Sequence, residues 1–459
     1  MPHIMKKYYP WRNIFFVAGE GVLIFLIVNA VFIPWAGYDH YSELFVVYGI
    51  RAAVVTIVFL LCFYYFDLYD LSIIPKFSEH ILQVIQAFGF GCITLSVLYF
   101  FFPVLIISTE VFFFALLTAG MVIFSWRFFY FKLLERRMFT KPIAIIGTGK
   151  VAGEVVSAID GKKDSGFKIA AFVGSKNPLI SQDGIPVFSD IKELTPLCMQ
   201  RKIEKIVLAV DEKRGVPMHD LIQYKFMGIE ILNVERFYES LTGKIMVERV
   251  NPSLLLFADG FYVGLVKRGI KRIIDIGVSA AMLMMAFPVF LLTAVAIKLE
   301  SEGDVFYRQE RVGKNGRIFN VIKFRSMVSD AEKDGVTWAK KDDDRVTRCG
   351  RFIRKTRIDE LPQLINVLRG EMSFVGPRPE RPVFVEELAR SIPYYNIRHV
   401  VKPGITGWAQ VSYPYGASVE DALRKLEYDL YYIKNLSIGM DLATIFQTIK
   451  VVLLQKGAR

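Results

Sequence analysis

Four apolar runs, each about long enough to cross a bilayer, fill the first third of the chain at approximately 13–34, 45–66, 81–102 and 104–126. A span needs about 20 apolar residues folded as helix, since no water is present to satisfy backbone N–H and C=O groups. Turn and polar residues separate the runs at 37–40 and 67–76, with a further break between Pro103 and Glu110. The pattern predicts a four-helix transmembrane bundle over 1–140. Its first run lacks a small-residue cleavage site and is followed by more apolar runs, unlike a removable signal peptide. Lys6, Lys7 and Arg12 precede the first run, Lys76 lies between the second and third, and Arg127, Lys132, Arg136, Arg137 and Lys141 follow the fourth. The other two loops carry no Lys or Arg, so both ends of the bundle and all that follows are expected on the cytoplasmic side. Glu20 and Arg51 lie in or beside the spans, as functional charges, as a helix–helix pair or as interfacial residues.

The rest of the composition agrees with membrane residence. Hydrophobic residues make up 53% and mean hydropathy is +0.36, above the level of soluble domains. A net charge of +12 suits anionic headgroups and anionic substrates. The aromatic, lipid-like N-terminal half favours those two over nucleic acid. Cys62, Cys92, Cys198 and Cys349 form no CxxC pair, so neither a disulfide framework nor a zinc site is indicated.

Residues 141–250 change character. Strand-like runs near 142–147, 169–173, 206–210 and 228–232 alternate with helical stretches, which predicts a Rossmann-like parallel α/β domain. Gly147, Gly149 and Gly153 open its first helix, where backbone N–H groups can meet a phosphate. The spacing is GxGxxxG, and no acidic residue ends the second strand, where Phe172-Val173-Gly174-Ser175 stands. The turn reads as part of a structural or regulatory module, with a dinucleotide site as the alternative.

The last region, 251–459, opens with Lys267, Arg268, Lys271 and Arg272, then an apolar run over 273–297. Lys298, Arg308, Arg311 and Lys314 follow, so both flanks are basic, and Pro288 interrupts the run. A re-entrant helix broken at Pro288, entering and leaving the same leaflet, accounts for both features. A spanning helix with a proline kink is the alternative.

Chemistry concentrates between Arg308 and Gln410. Lys323, Arg325, Arg345, Arg348, Arg351, Arg354, Lys355 and Arg357 lead up to Asp359-Glu360. The following run suits an amphipathic helix stopped by Gly370, and Pro362 fits only a first turn, so Asp359 is expected at or near the N-cap. A cap is one reading of Asp359. The other is a carboxylate held ionised by the cations and the helix terminus, able to attack phosphorus. Glu360 adds a second hard-oxygen donor, which together with Asp359 suits Mg²⁺. Arg378, between Pro377 and Pro379, is either a rigidly aimed phosphate ligand or a solvated turn residue. Trp408, in the Gly- and Pro-shaped loop 402–410, either stacks on a base or anchors at the membrane interface. Tyr428, Tyr431 and Tyr432 read as packing or interfacial residues.

Five stretches in order carry a specific resemblance: Lys323-Phe324-Arg325-Ser326-Met327, Asp344-Arg345-Val346-Thr347-Arg348, Asp359-Glu360-Leu361-Pro362-Gln363, 372–380 (MSFVGPRPE) and 402–410 (KPGITGWAQ). From about 267 to 459 the chain resembles the bacterial sugar transferases, or monotopic phosphoglycosyl transferases, and its layout is similar to the large members with an N-terminal bundle and Rossmann-like domain. The resemblance implies a mostly helical catalytic domain in the bacterial inner membrane, on its cytoplasmic face. It implies that Asp359 attacks the β-phosphate of a UDP-sugar and releases UMP, with Glu360 as partner carboxylate and Mg²⁺ as cofactor. Lys323, Arg354 and Arg378 would hold phosphates, and Arg325, Arg345 and Gln410 complete the expected substrate-binding set. Undecaprenyl phosphate would accept the sugar-phosphate, the sugar being glucose or galactose, in a first membrane step of exopolysaccharide or O-antigen synthesis. A homodimer is implied, and no nucleic acid. The competing classes are a membrane-tethered oxidoreductase or epimerase using the α/β domain, and a non-catalytic scaffold of a polysaccharide export complex.

Overall fold

A computed structural model of the chain describes residues 3–4, 7–8, 11–37, 44–69, 77–135, 140–161, 165–174, 184–200, 202–211, 218–249, 260–261, 264–328, 345–414, 416 and 418–453. The chain divides into two compact units, Met1–Phe237 and Tyr238–Arg459.

The first unit begins with α1 (Trp11–Ala36), α2 (Phe45–Tyr65), α3 (Phe77–Phe101) and α4 (Thr109–Glu135). Their apolar stretches are 22, 21, 22 and 25 residues long. At about 1.5 Å per residue each covers a hydrocarbon core of about 30 Å. Ile24, Val28, Phe32, Val55, Phe59, Phe63, Leu95, Val111 and Ile123 pack inward, while Phe15, Val22, Ile57, Ile93, Phe113 and Phe114 are exposed. Apolar residues on both the inner and outer faces mark helices meant for lipid.

The fourth helix differs from its expected 104–126. Pro103–Leu105 forms a short 3-10 turn, and the helix starts at Thr109, where Ser108 Oγ accepts from the Val111 N–H. Its end moves past Arg127, which therefore lies inside the helix and is no flanking charge. Arg127 is 1% exposed, pairs with Glu20 at 2.7 Å, and donates to Leu68 O at 3.1 Å. Tyr69 Oη donates to the same Glu20 carboxylate at 2.8 Å. Glu20 thus has a partner on another helix, as the helix–helix reading held. Arg51 instead donates from Nε to Val104 O at 3.2 Å and lies over the Tyr48 ring.

Five parallel strands follow, β1 (Lys141–Ile146), β2 (Phe167–Val173), β3 (Val187–Phe188), β4 (Lys205–Leu208) and β5 (Glu230–Asn233), in the order β3-β2-β1-β4-β5. Ile143–Ile146 in the central strand are fully buried, the continuous apolar run of a strand covered on both faces. Helix α5 (Lys150–Asp160) begins at the glycine turn. There the Asp211 carboxylate accepts from the Val151 N–H at 3.1 Å, and a Cβ on Gly149 would lie 1.6 Å from Asp211 Oδ2. The anion seat at this helix start is filled by the chain's own acid, which explains the glycine without a nucleotide. Helices α6 (Thr195–Met199), α7 (Met218–Phe226) and α8 (Val234–Thr242) complete the α/β stretch, α8 running across the unit boundary.

In the second unit, residues after 238 already belong to the C-terminal fold. Glu239 binds Lys434 and Asn435, and Lys244 pairs with Glu427 at 3.0 Å. Helices α9 (Leu265–Met285) and α10 (Phe287–Glu300) meet at 61°. The break falls at Ala286, and Pro288 sits in the first turn of α10, where a missing N–H costs nothing. Then come the antiparallel hairpin β6 (Phe306–Val312) and β7 (Ile318–Phe324), α11 (Arg348–Lys355), α12 (Gln363–Arg369), β8 (Ser373–Val375), α13 (Pro382–Ser391), β9 (Gly404–Thr406), α14 (Trp408–Ser412), α15 (Val419–Lys434) and α16 (Ile438–Leu453). Helix dominates, as expected. The hairpin was not anticipated.

Candidate active site

Asp359 and Glu360 lie on a 3-10 turn, Ile358–Glu360, reached through Arg357 in the left-handed conformation at φ 60°. The turn precedes α12, whose N-cap is Pro362, so Asp359 is not the helix cap that its sequence position suggested. Gly370, at φ 84°, ends the helix as expected. Asn366, fully buried in α12, accepts from the Ile322 N–H at 3.0 Å and donates to Asn320 O at 2.8 Å. This side chain ties the helix after the carboxylates to β7, which carries Lys323.

Three cations converge on Glu360 Oε1: Arg378 at 3.2 Å, Lys323 at 3.6 Å and Arg357 at 3.8 Å. Burial alone would raise this carboxyl, but Arg378, Lys323 and Arg357 outweigh it and hold it down at about 2. Asp359 goes the other way. Burial and the neighbouring Glu360 charge push it up, and Lys323, Arg357 and Arg354 only partly oppose them. The cations therefore act most strongly on Glu360, whereas Asp359 is held above the ordinary carboxylate range, a difference within the pair that the sequence reading did not expect. Asp359 Oδ1 is buried and has no hydrogen-bond partner among the described residues. An orphaned carboxylate oxygen beside a second, ionised carboxylate suits a divalent cation that takes its other ligands from phosphate oxygens.

Arg378 is carried on a loop zipped to the 402–407 segment. The Gly376 N–H donates to Thr406 O and the Gly404 N–H to Pro377 O, each at 2.9 Å. A Cβ on Gly404 would fall 2.1 Å from Gly376 N, so the two motif glycines let the backbones touch.

Comparison of the sequence with known proteins places it beside a family. The model of the family described as bacterial sugar transferase covers residues 266–455, and one described as a CoA-binding domain covers 64–225. The UDP-galactose-lipid carrier transferase of Erwinia amylovora is 32% identical over 357 residues, 71% of this chain and 71% of its own. The chain belongs to the bacterial sugar transferase family. Two further members of the family are the undecaprenyl-phosphate glucose phosphotransferase of Komagataeibacter xylinus and the UDP-N-acetylgalactosamine-undecaprenyl-phosphate N-acetylgalactosaminephosphotransferase of Aeromonas hydrophila. The first is 34% identical over 70% of this chain and 61% of its own length, the second 45% over 50% and 54%. The chain thus spans between about half and three-fifths of those two relatives.

Not every expected site residue of this bacterial sugar transferase reaches the carboxylates. Lys323, Arg354 and Arg378 do gather there, Arg354 also donating from Nε to Ser326 Oγ at 2.8 Å. Arg325 instead donates to Ser301 O and Glu302 O at 2.8 and 2.6 Å, bracing the end of α10. Arg345 is fixed through its carbonyl, which accepts from the Val328 N–H at 3.0 Å, beside a Met327–Val346 bridge. Asp344 of the same motif lies outside the described residues. Gln410 donates to Ile405 O at 3.3 Å within its own loop. Trp408 takes neither expected role. It is buried, donates to Gly243 O at 3.0 Å and stacks on Tyr431. Tyr431 and Tyr432 are core residues, as one of their readings held. Asn366 was missed as a site residue, and Arg357 was named among the cations leading up to the pair without being placed in the substrate-binding set. The available signal for Asn366 was an amide on the buried face of an otherwise apolar helix.

Proposed function

We propose that this bacterial sugar transferase moves a hexose-1-phosphate from a UDP-sugar to undecaprenyl phosphate through Asp359. The observation that carries this reading is the buried Oδ1 of Asp359, without a hydrogen-bond partner among the described residues, set beside an ionised Glu360 and three cations. In the first step Oδ1 attacks the β-phosphorus, and the bond from that phosphorus to the bridging oxygen breaks, releasing UMP. In the second step an oxygen of the lipid phosphate attacks the same phosphorus and expels the Asp359 carboxylate. The product is a lipid diphosphate sugar. Lys323, Arg354 and Arg378 match the charge of the transferring phosphates and need no reorganisation to do so. Asp359 and Glu360 would hold Mg²⁺, which when bound neutralises phosphate charge. The relatives' names cover N-acetylgalactosamine, glucose and galactose, which supports a hexose-phosphate donor as the class.

We place the site at the headgroup level on the cytoplasmic side of a bacterial inner membrane. The 61° break between α9 and α10, with basic residues at both outer ends, supports a re-entrant pair over a broken span. There a soluble donor and a lipid phosphate can meet. The test is trapping with radiolabelled UDP-hexose: the wild type becomes labelled and releases UMP, while Asp359→Ala does neither. A labelled Asp359→Ala protein would remove Asp359 from the nucleophile role.

A further inference from the structure

The loop that aims Arg378 has neither helix nor strand, yet four consecutive carbonyls in it are each held by a separate donor. Pro377 O accepts from the Gly404 N–H at 2.9 Å, Arg378 O from Arg398 at 3.0 Å, Pro379 O from Arg311 at 3.1 Å, and Glu380 O from the Val312 N–H at 2.9 Å. With proline on both sides, Arg378 has little freedom of its own. Its aim is therefore set by whatever grips these carbonyls.

Arg398 differs from the other three donors. It is 6% exposed and gives Nη2 both to Arg378 O and to Asp429 Oδ2, the latter at 2.8 Å. Its Nη1 donates to Tyr395 Oη at 2.7 Å, and Tyr395 and Asp429 are themselves buried. A buried guanidinium–carboxylate pair is a costly way to stabilise a fold, since apolar residues of equal volume serve as well or better. Here one of its hydrogen bonds ends on the backbone of the residue that grips Glu360. We propose that Arg398, oriented by Asp429 and Tyr395, is a positioning residue for Arg378 and acts on catalysis only through it. The inference rests on the reading that Arg378 engages the donor phosphates.

A double-mutant cycle tests this on the full chain in phosphatidylglycerol–phosphatidylcholine nanodiscs. UMP release is measured with whichever of UDP-glucose, UDP-galactose and UDP-N-acetylgalactosamine the wild type turns over fastest. The paired change Arg398→Gln with Asp429→Asn leaves no buried charge alone. Tyr395→Phe is the milder second variant, should the pair not fold. The paired change is expected to lower kcat/KM about 10- to 100-fold, the scale of a misaimed ligand, and Tyr395→Phe about 3-fold. In an Arg378→Ala background each loss should shrink to within about 2-fold, because the residue being positioned is gone. An equal fold-loss in both backgrounds overturns the proposal and leaves a merely structural pair. Wild-type kcat/KM in Arg378→Ala alone would instead overturn the phosphate role of Arg378, and this inference with it.

Discussion

Two carboxylates in this chain are surrounded by arginine, and they are built in opposite ways. Glu20 meets Arg127 at 2.7 Å on both oxygens, with Tyr69 on one of them, and the guanidinium also reaches Leu68 O and lies against Phe16 and Phe63. Glu360 meets three cations at 3.2 to 3.8 Å, and its neighbour Asp359 keeps a buried oxygen with no hydrogen-bond partner among the described residues. The first cluster matches one acid with one base at close range. The second gathers three cations around one carboxylate oxygen at longer range. Saturation marks a cluster that holds helices together, and surplus marks one that awaits an anion.

The largest effect expected from this contrast is on turnover. Asp359→Asn keeps the volume and loses the nucleophile, so UMP release should fall on the order of 10³-fold or more. The melting temperature should stay near that of the wild type, because no hydrogen bond from the described residues ends on Oδ1. A large drop in melting temperature would break the comparison by making Asp359 structural. Next comes Arg127→Leu, which leaves the Glu20 charge buried and should cost about 3 kcal/mol of stability. Turnover per folded molecule should be unaltered, and adding Glu20→Leu should restore part of the stability. Chemical denaturation alongside UMP release reads both.

These two clusters were not equally legible in the sequence. The bundle was readable because bilayer thickness imposes long apolar runs, yet Arg127 looked like a flanking charge, since a cation just past an apolar stretch usually is one. Its partner Glu20 lies 107 positions earlier, beyond any local pattern. Asp359, Glu360, Lys323 and Arg378 stood out because their motifs combine proline, glycine and charge in short compass. Arg398 and Asn366 did not, as each acts on a backbone atom of a distant segment, and backbone atoms leave no trace in composition. In the β6–β7 hairpin, Phe306, Tyr307, Arg308 and Glu310 are exposed and give β6 no apolar alternation, whereas Ile318, Phe319, Val321, Ile322 and Phe324 made β7 a readable strand that was overlooked. Arg325 and Gln410 were drawn toward the site by their place in the motifs, whereas geometry gives them bracing work.

A smaller effect sharpens the surplus side of the comparison. Arg378→Lys retains the charge and loses the planar fork, so kcat/KM should drop about tenfold. The drop should come with a weaker response to Mg²⁺, if cation and guanidinium share the same phosphate oxygens. An unchanged kcat/KM would mean that charge alone suffices, and the site would then be a field rather than a set of aimed donors.

The smallest effect belongs to a third carboxylate, Asp211, which is intermediate between the other two. Its carboxylate accepts from the Val151 N–H at 3.1 Å and fills the space left by Gly149. Being exposed, it meets a helix terminus screened by water, so Asp211→Asn should cost about 0.5 kcal/mol of domain stability and leave UMP release unaltered. The consequence worth measuring is elsewhere. If the acid merely fills the anion seat of α5, its neutralisation should let inorganic phosphate or CoA raise the melting temperature of Asp211→Asn more than that of the wild type. If neither anion does so, the glycine turn is closed by its packing as well as by its charge, and Asp211 joins Glu20 as a purely structural acid.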